Sequence, residues 1–126
     1  MDKQIIYTKE APEPIGPYSQ AVKALGLLFI SGQISIQSET NELITTDIKT
    51  ETELIMNNLK AILTKSGLGF EHVVKTTIFL KDMSLFASVN EVYGKFFNAD
   101  FPARETVAVK GLPKDVNVEI SMIALA

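Results

Sequence analysis

A chain of 126 residues, 46% apolar and 21% charged, has the length of one domain and the balance of a packed globular protein, which argues against a disordered tail or a solenoid. Twelve basic and fifteen acidic residues give a charge of −3, split five to eight in the first 63 residues and seven to seven thereafter, so no basic stripe forms and nucleic acid is an unfavoured partner. With no cysteine and one histidine, disulfides, thiolate catalysis, sulfur-held metals and the usual zinc sites are excluded, a composition that fits a cytoplasmic protein. No stretch approaches the ~20 apolar residues of a membrane span, and the start of the sequence lacks a signal-type apolar run.

The first element is a strand within Lys3–Thr8, carried by Ile5, Ile6 and Tyr7. Prolines at 12, 14 and 17 then restrict φ and hold the connection Ala11–Pro17 out of helix. Gln20–Lys23 and Leu27–Ser31 read as short strands around a turn at Ala24–Gly26. Ser35–Thr46 is polar and turn-prone around Asn41, although Ile34 and Ile36 would extend the preceding strand.

From Asp47 to Ser66 the period becomes helical, with Ile48, Thr52, Ile55, Leu59, Ile62 and Leu63 in one stripe. Thr46 or Asp47 caps the start, and Gly67 ends the helix in the left-handed conformation. His72–Lys81 is a strand rich in branched and aromatic side chains. Ser84 is the expected cap of a second helix, Leu85–Phe97. Pro102 and Pro113 bracket a short strand at Thr106–Val109, and Val116–Leu125 closes the chain as an apolar strand. Two helices on one face of a mixed sheet make an α+β protein. Val, Ile and Leu on both faces of several strands leave a second face to be covered, which predicts an oligomer.

Few groups offer chemistry. Arg104 is the one arginine among eleven lysines, and its planar guanidinium holds a carboxylate through two parallel bonds as lysine cannot. Its position after Phe101-Pro102-Ala103 predicts a loop that presents it just before a strand; solvation or pairing with Glu105 is the bland alternative. Glu119 lies inside the last strand, where Val118, Ile120, Met122 and Ala124 form the opposite face. A carboxylate there requires a partner or a raised pKa, as a general base does, unless it reaches solvent at a strand edge. Tyr18 and Ser19 follow a rigid Gly16-Pro17 turn and would line a small polar pocket or cover a core edge. Gly32, in Ser31-Gly32-Gln33, allows close approach of a ligand or marks a bulge. His72 is expected at the surface or a hinge, Asp82 and Asp115 as turn and cap residues, Asn90 at a helix packing surface, and Tyr93, Phe96 and Phe97 in core or interface.

Three segments together are distinctive: Gly16-Pro17-Tyr18-Ser19-Gln20-Ala21, Ser31-Gly32-Gln33-Ile34, and Phe101-Pro102-Ala103-Arg104 followed by Leu112-Pro113-Lys114-Asp115-Val116 and Val118-Glu119-Ile120. With Asn58–Leu63 and Ser88–Tyr93, they resemble the YjgF/YER057c/UK114 family, or RidA, from about Lys9 to Ala124. The resemblance implies a chorismate-mutase-like fold and a homotrimer with a barrel-like core. Its active sites would lie between subunits. The implied activity is hydrolysis of 2-imino acids such as 2-iminobutanoate and 2-iminopropanoate, or their enamines, to 2-oxo acids and ammonia. Pyridoxal-phosphate dehydratases supply such imines, and the deaminase itself uses no cofactor.

By the same resemblance Arg104 clamps the substrate carboxylate and Glu119 stands near the attacking water. Tyr18, Ser31, Gly32, Asn90 and Thr106 surround the substrate, with Tyr18 supplied by the subunit opposite Arg104. Many relatives carry cysteine where this chain has Thr106, which removes thiol chemistry but not the water route. The competing readings are a non-catalytic 2-oxo acid sensor using the same arginine, an endoribonuclease or translation inhibitor, and a purely structural trimer.

Overall fold

The computed structural model describes residues 2–126. Six strands and two helices follow in the order β1 (Gln4–Ile6), β2 (Ala21–Ala24), β3 (Leu27–Gln33), α1 (Ile48–Lys65), β4 (Val73–Leu80), α2 (Phe86–Gly94), β5 (Ala103–Ala108) and β6 (Val118–Leu125). The strands form one sheet in the order β1-β2-β3-β6-β4-β5. All neighbours are antiparallel except β4 and β5, which run parallel across α2. The β2–β3 hairpin turns through Leu25 and Gly26, both at positive φ (54° and 74°), the two-residue geometry that matches strand twist.

Helix α1 begins at Asp47, whose carboxylate accepts the Thr50 N–H at 2.9 Å, and is followed by Gly67 at φ 74°. Its buried stripe includes Ile55, Met56, Leu59, Ile62 and Leu63. These meet Val89 and Tyr93 of α2 over Leu28, Ile30, Ile78, Leu80, Val118, Ile120, Met122 and Ala124 of the sheet in one core. Both helices therefore cover one face of a mixed sheet, the α+β arrangement expected from the sequence.

Several boundaries differ from expectation, each through hydrogen bonding that the sequence does not display. Strand β5 starts at Ala103, not Thr106, because it pairs with β4 from Lys75 onward, and Arg104 therefore sits inside a strand rather than on a loop. The strand ends at Ala108 because its partner does; Val109 N–H bonds to the Leu80 carbonyl at the end of β4. Helix α2 gives way after Gly94 to i→i−3 bonds from Lys95, Phe96 and Phe97, so the last expected turn is wound tighter. Asp82, not Ser84, is the cap before α2: its carboxylate accepts the Ser84 N–H at 2.7 Å and opens a 3₁₀ turn that leads into the helix. Ile34 and Ile36 do not extend β3; Ile36 makes a single bridge to Leu43.

The opposite sheet face carries no helix. Phe29 of β3 and Val107 of β5 are 41% and 44% exposed there, beside a Lys75–Glu105 ion pair of 3.0 Å.

Candidate active site

Two hollows hold the residues singled out in the sequence. The first, about 270 Å³, lies where the 12–18 connection crosses the end of β3. Tyr18, Ser31, Gly32 and Glu119 line it, with Ile15, Ile34, Ile36 and Pro113 as apolar walls. Gln20 anchors the connection: its buried amide accepts the Thr8 N–H at 2.8 Å and donates to the carbonyls of Thr8, Ala11 and Pro12. Three peptide carbonyls gathered on one amide give the proline-rich segment a fixed course without secondary structure. Tyr18 Oη accepts the Ile15 N–H at 3.1 Å, and Ser31 Oγ donates to the Ser19 carbonyl at 2.6 Å.

The β3–β6 register breaks between Ile30 and Gln33, so Ser31 and Gly32 form a bulge. The Glu119 carboxylate can lie where it does only because position 32 is glycine: a Cβ there would lie only 2.8 Å from Cδ and collide with Oε2. Glu119 is thus laid across bare backbone at the cleft floor. Burial pushes its carboxyl above the usual range, and burial is the one cause of the shift. A carboxylate ready to take a proton, beside a polar floor, is the equipment of a general base.

The second hollow, about 310 Å³, lies between α2 and β5 and is lined by Asn90, Tyr93, Phe101, Pro102 and Arg104. The Arg104 guanidinium carbon stands 5.1 Å from the Tyr93 ring centre and 5.7 Å from that of Phe86. Cation–π attraction to two faces fixes the fork while leaving its N–H groups for an anion. Tyr93 is itself held by a 2.9 Å hydrogen bond from its hydroxyl to Thr76 Oγ1. Glu105 does not pair with Arg104; it lies on the other sheet face against Lys75. Thr106, two residues on and on the same side as Arg104, has a buried hydroxyl without a hydrogen-bond partner among the described residues.

Strand register fixes how the hollows relate. Arg104 is directly opposite Thr76, which is opposite Met122, so Arg104 belongs to the helix-covered face. Glu119 is opposite Phe79 and alternates with buried Val118 and Ile120, so it belongs to the uncovered face. Within one chain, Tyr18, Ser31, Gly32 and Glu119 come together, as do Asn90 and Arg104, whereas Thr106 shares the strand face of Arg104 but does not line that hollow. The two groups do not meet.

His72 is a local turn residue whose Nδ1 accepts the Gly69 N–H at 3.0 Å. Among the described residues, no group of three or more His, Asp or Glu is placed to hold a metal ion, and no helix is long and apolar enough to cross a membrane. Sequence reasoning missed the Phe86–Tyr93 platform, although Phe86, Asn90 and Tyr93 recur at i, i+4 and i+7 and so share a helix face. It also missed Glu51, which falls on the buried stripe of α1 four residues before Ile55.

A six-stranded mixed sheet backed by two helices in this order is the Rid (YjgF) α+β fold. The crystal structure of a conserved Rid family protein from Yersinia pestis matches with a TM-score of 0.97 and 43% identity, over 99% of this chain and all of that one. The family model described as endoribonuclease L-PSP matches residues 8–126, and the chain belongs to this family, the one also called YjgF/YER057c/UK114 or RidA. A RutC family protein of Pyrococcus horikoshii is 51% identical over 122 residues, 97% of each chain. The chloroplastic Reactive Intermediate Deaminase A of Arabidopsis thaliana is 43% identical over 122 residues, 97% of this chain and 65% of the plant protein.

Proposed function

We propose that the protein is a homotrimeric deaminase that hydrolyses 2-imino acids, 2-iminobutanoate and 2-iminopropanoate among them, at sites built between neighbouring subunits. The observation that carries this reading is the separation of Arg104 and Glu119 onto opposite faces of one sheet. An anion clamp and a base serve one small substrate only if different copies contribute them. The uncovered sheet face, with Phe29 and Val107 exposed, supplies the apolar surface for such assembly. The similarity to a reactive intermediate deaminase supplies the reaction class.

In this mechanism Arg104 of one subunit takes the substrate carboxylate bidentately, held flat by Tyr93 and Phe86, with Asn90 and Thr106 beside it. Orientation by such a clamp replaces a bimolecular encounter with a fixed approach. Glu119 of the neighbour, over Gly32 and flanked by Ser31 and Tyr18, takes a proton from water as its oxygen adds to the C=N carbon. The C=N π pair goes to nitrogen, giving a carbinolamine. With the substrate bound as its protonated iminium, the carbinolamine is neutral. Glu119 returns the proton to nitrogen, and the hydroxyl oxygen's electron pair forms C=O as the C–N bond breaks and ammonia leaves. The hydroxyl proton passes to Glu119 as the 2-oxo acid forms. No metal or cofactor takes part, and the unstable substrate would come from pyridoxal-phosphate dehydratases.

The direct test generates 2-iminobutanoate from threonine with a dehydratase and traps surviving imine with semicarbazide. The protein is expected to lower the trapped fraction, and Arg104→Ala to abolish the effect. Binding of 2-oxobutanoate by a folded protein that gives no acceleration would replace the enzyme by a 2-oxo acid sensor. RNA cleavage that survives Arg104→Ala would favour the ribonuclease reading.

A further inference from the structure

Glu51 is a carboxylate with no exposure to solvent, placed in the first turn of α1, and the mechanism above makes no use of it. Three donors converge on it, two from Asn117 just before β6 and one from Val118 at its first residue. Oε2 accepts the Asn117 N–H at 2.9 Å and the Val118 N–H at 3.3 Å, and Oε1 accepts the Asn117 side-chain amide at 2.8 Å. The Asn117 carbonyl meanwhile accepts the Lys81 N–H at 2.8 Å. The α1 N-terminus, where helix dipoles favour negative charge, adds to this compensation. A buried carboxylate is costly unless satisfied in this way.

The segment held is an unusual one. Lys114 and Asp115 both adopt positive φ (54° and 55°), so the chain enters β6 through two consecutive left-handed residues that regular pairing does not guide. Val116 follows, fully buried against Ile34 and Ile36, then Asn117 and Val118 with their peptide groups on Glu51, and Glu119 comes immediately after. Side chains alternate along a strand, so a slip of one residue at this entry would turn Glu119 from the cleft into the packed face.

We propose that Glu51 is a positioning residue for Glu119: by clamping the peptide groups of Asn117 and Val118 it sets the register and tilt that lay the Glu119 carboxylate across Gly32. Glu51 does not touch substrate. This inference rests on Glu119 acting as the base, but its test need not.

The Glu119 carboxyl is followed by carbon-detected NMR across a pH titration in the full-length protein, in wild type, Glu51→Gln, Glu51→Ala and Asn117→Ala. Glutamine keeps acceptor lone pairs for both peptide groups and a partner for a flipped Asn117 amide, so its Glu119 midpoint should match wild type. Alanine removes the clamp, and the midpoint should fall toward the ordinary glutamate range as the side chain swings to water. Asn117→Ala, which leaves both peptide bonds to Glu51, should shift it the same way by a smaller step and serves if Glu51→Ala does not fold.

In imine hydrolysis Glu51→Ala should lower kcat about tenfold at near-constant KM, the effect of misplacing a base, while Glu51→Gln recovers most of it. An unchanged Glu119 titration in folded Glu51→Ala, or in Asn117→Ala if the former does not fold, would overturn the proposal even if thermal stability drops. Full activity in Glu119→Gln would instead remove the catalytic reading, while the titration still decides the role of Glu51.

Discussion

Gly32 and Glu119 form a matched pair: the carboxylate occupies the space that any other residue at position 32 would fill. Gly32 is not at positive φ, so Gly32→Ala should fold and should displace Glu119 instead. An ångström-scale displacement of a base predicts a loss in kcat of about 10- to 100-fold with little change in thermal stability, read from paired kinetic and melting curves. The pH profile follows from the same environment. In its proposed role as base Glu119 must be ionised, and burial raises its pKa, so hydrolysis should fail on acidification at a pH above the ordinary glutamate range. A kcat profile whose acidic limb lies at or below that range would contradict the assignment. At Arg104, lysine keeps the charge but loses the planar fork and its stacking on Tyr93 and Phe86, so Arg104→Lys should raise KM by about tenfold or more.

At the scale of elements, what could be read in the sequence was what repeats. Helix α1 shows its apolar stripe, its Asp47 cap and its Gly67 stop in local spacing, and the structure contains all three. Leu59, fully buried at the centre of that stripe, should cost about 2–5 kcal/mol when cut to alanine, measurable as a lowered denaturant midpoint. Strand β5 was misplaced because its start is set by Lys75, some 28 positions away in sequence, rather than by its own residues. Arg104 and Glu119 stood out by residue type and through motifs. That they lie on opposite faces depends on the pairing of Thr76 with both Arg104 and Met122, which no local pattern encodes. Glu51 was hidden for the opposite reason: an acidic residue in a first helical turn reads as a solvated dipole partner, and its donors lie 66 residues later.

For the whole molecule, the central claim is that one catalytic site draws Arg104 and Glu119 from different copies. The uncovered sheet face and the two separate hollows are the observations that support such an assembly. The measurement that bears on it most directly mixes two inactive variants, Arg104→Ala and Glu119→Gln, after partial unfolding and reassembly. In a cyclic trimer with shared sites, an equal mixture pairs an intact arginine with an intact glutamate at about a quarter of interfaces, so activity should return to roughly that fraction of wild type. If each chain held a complete site, reassembled mixtures containing mixed trimers would stay as inactive as the parent variants, and the intersubunit account would fail.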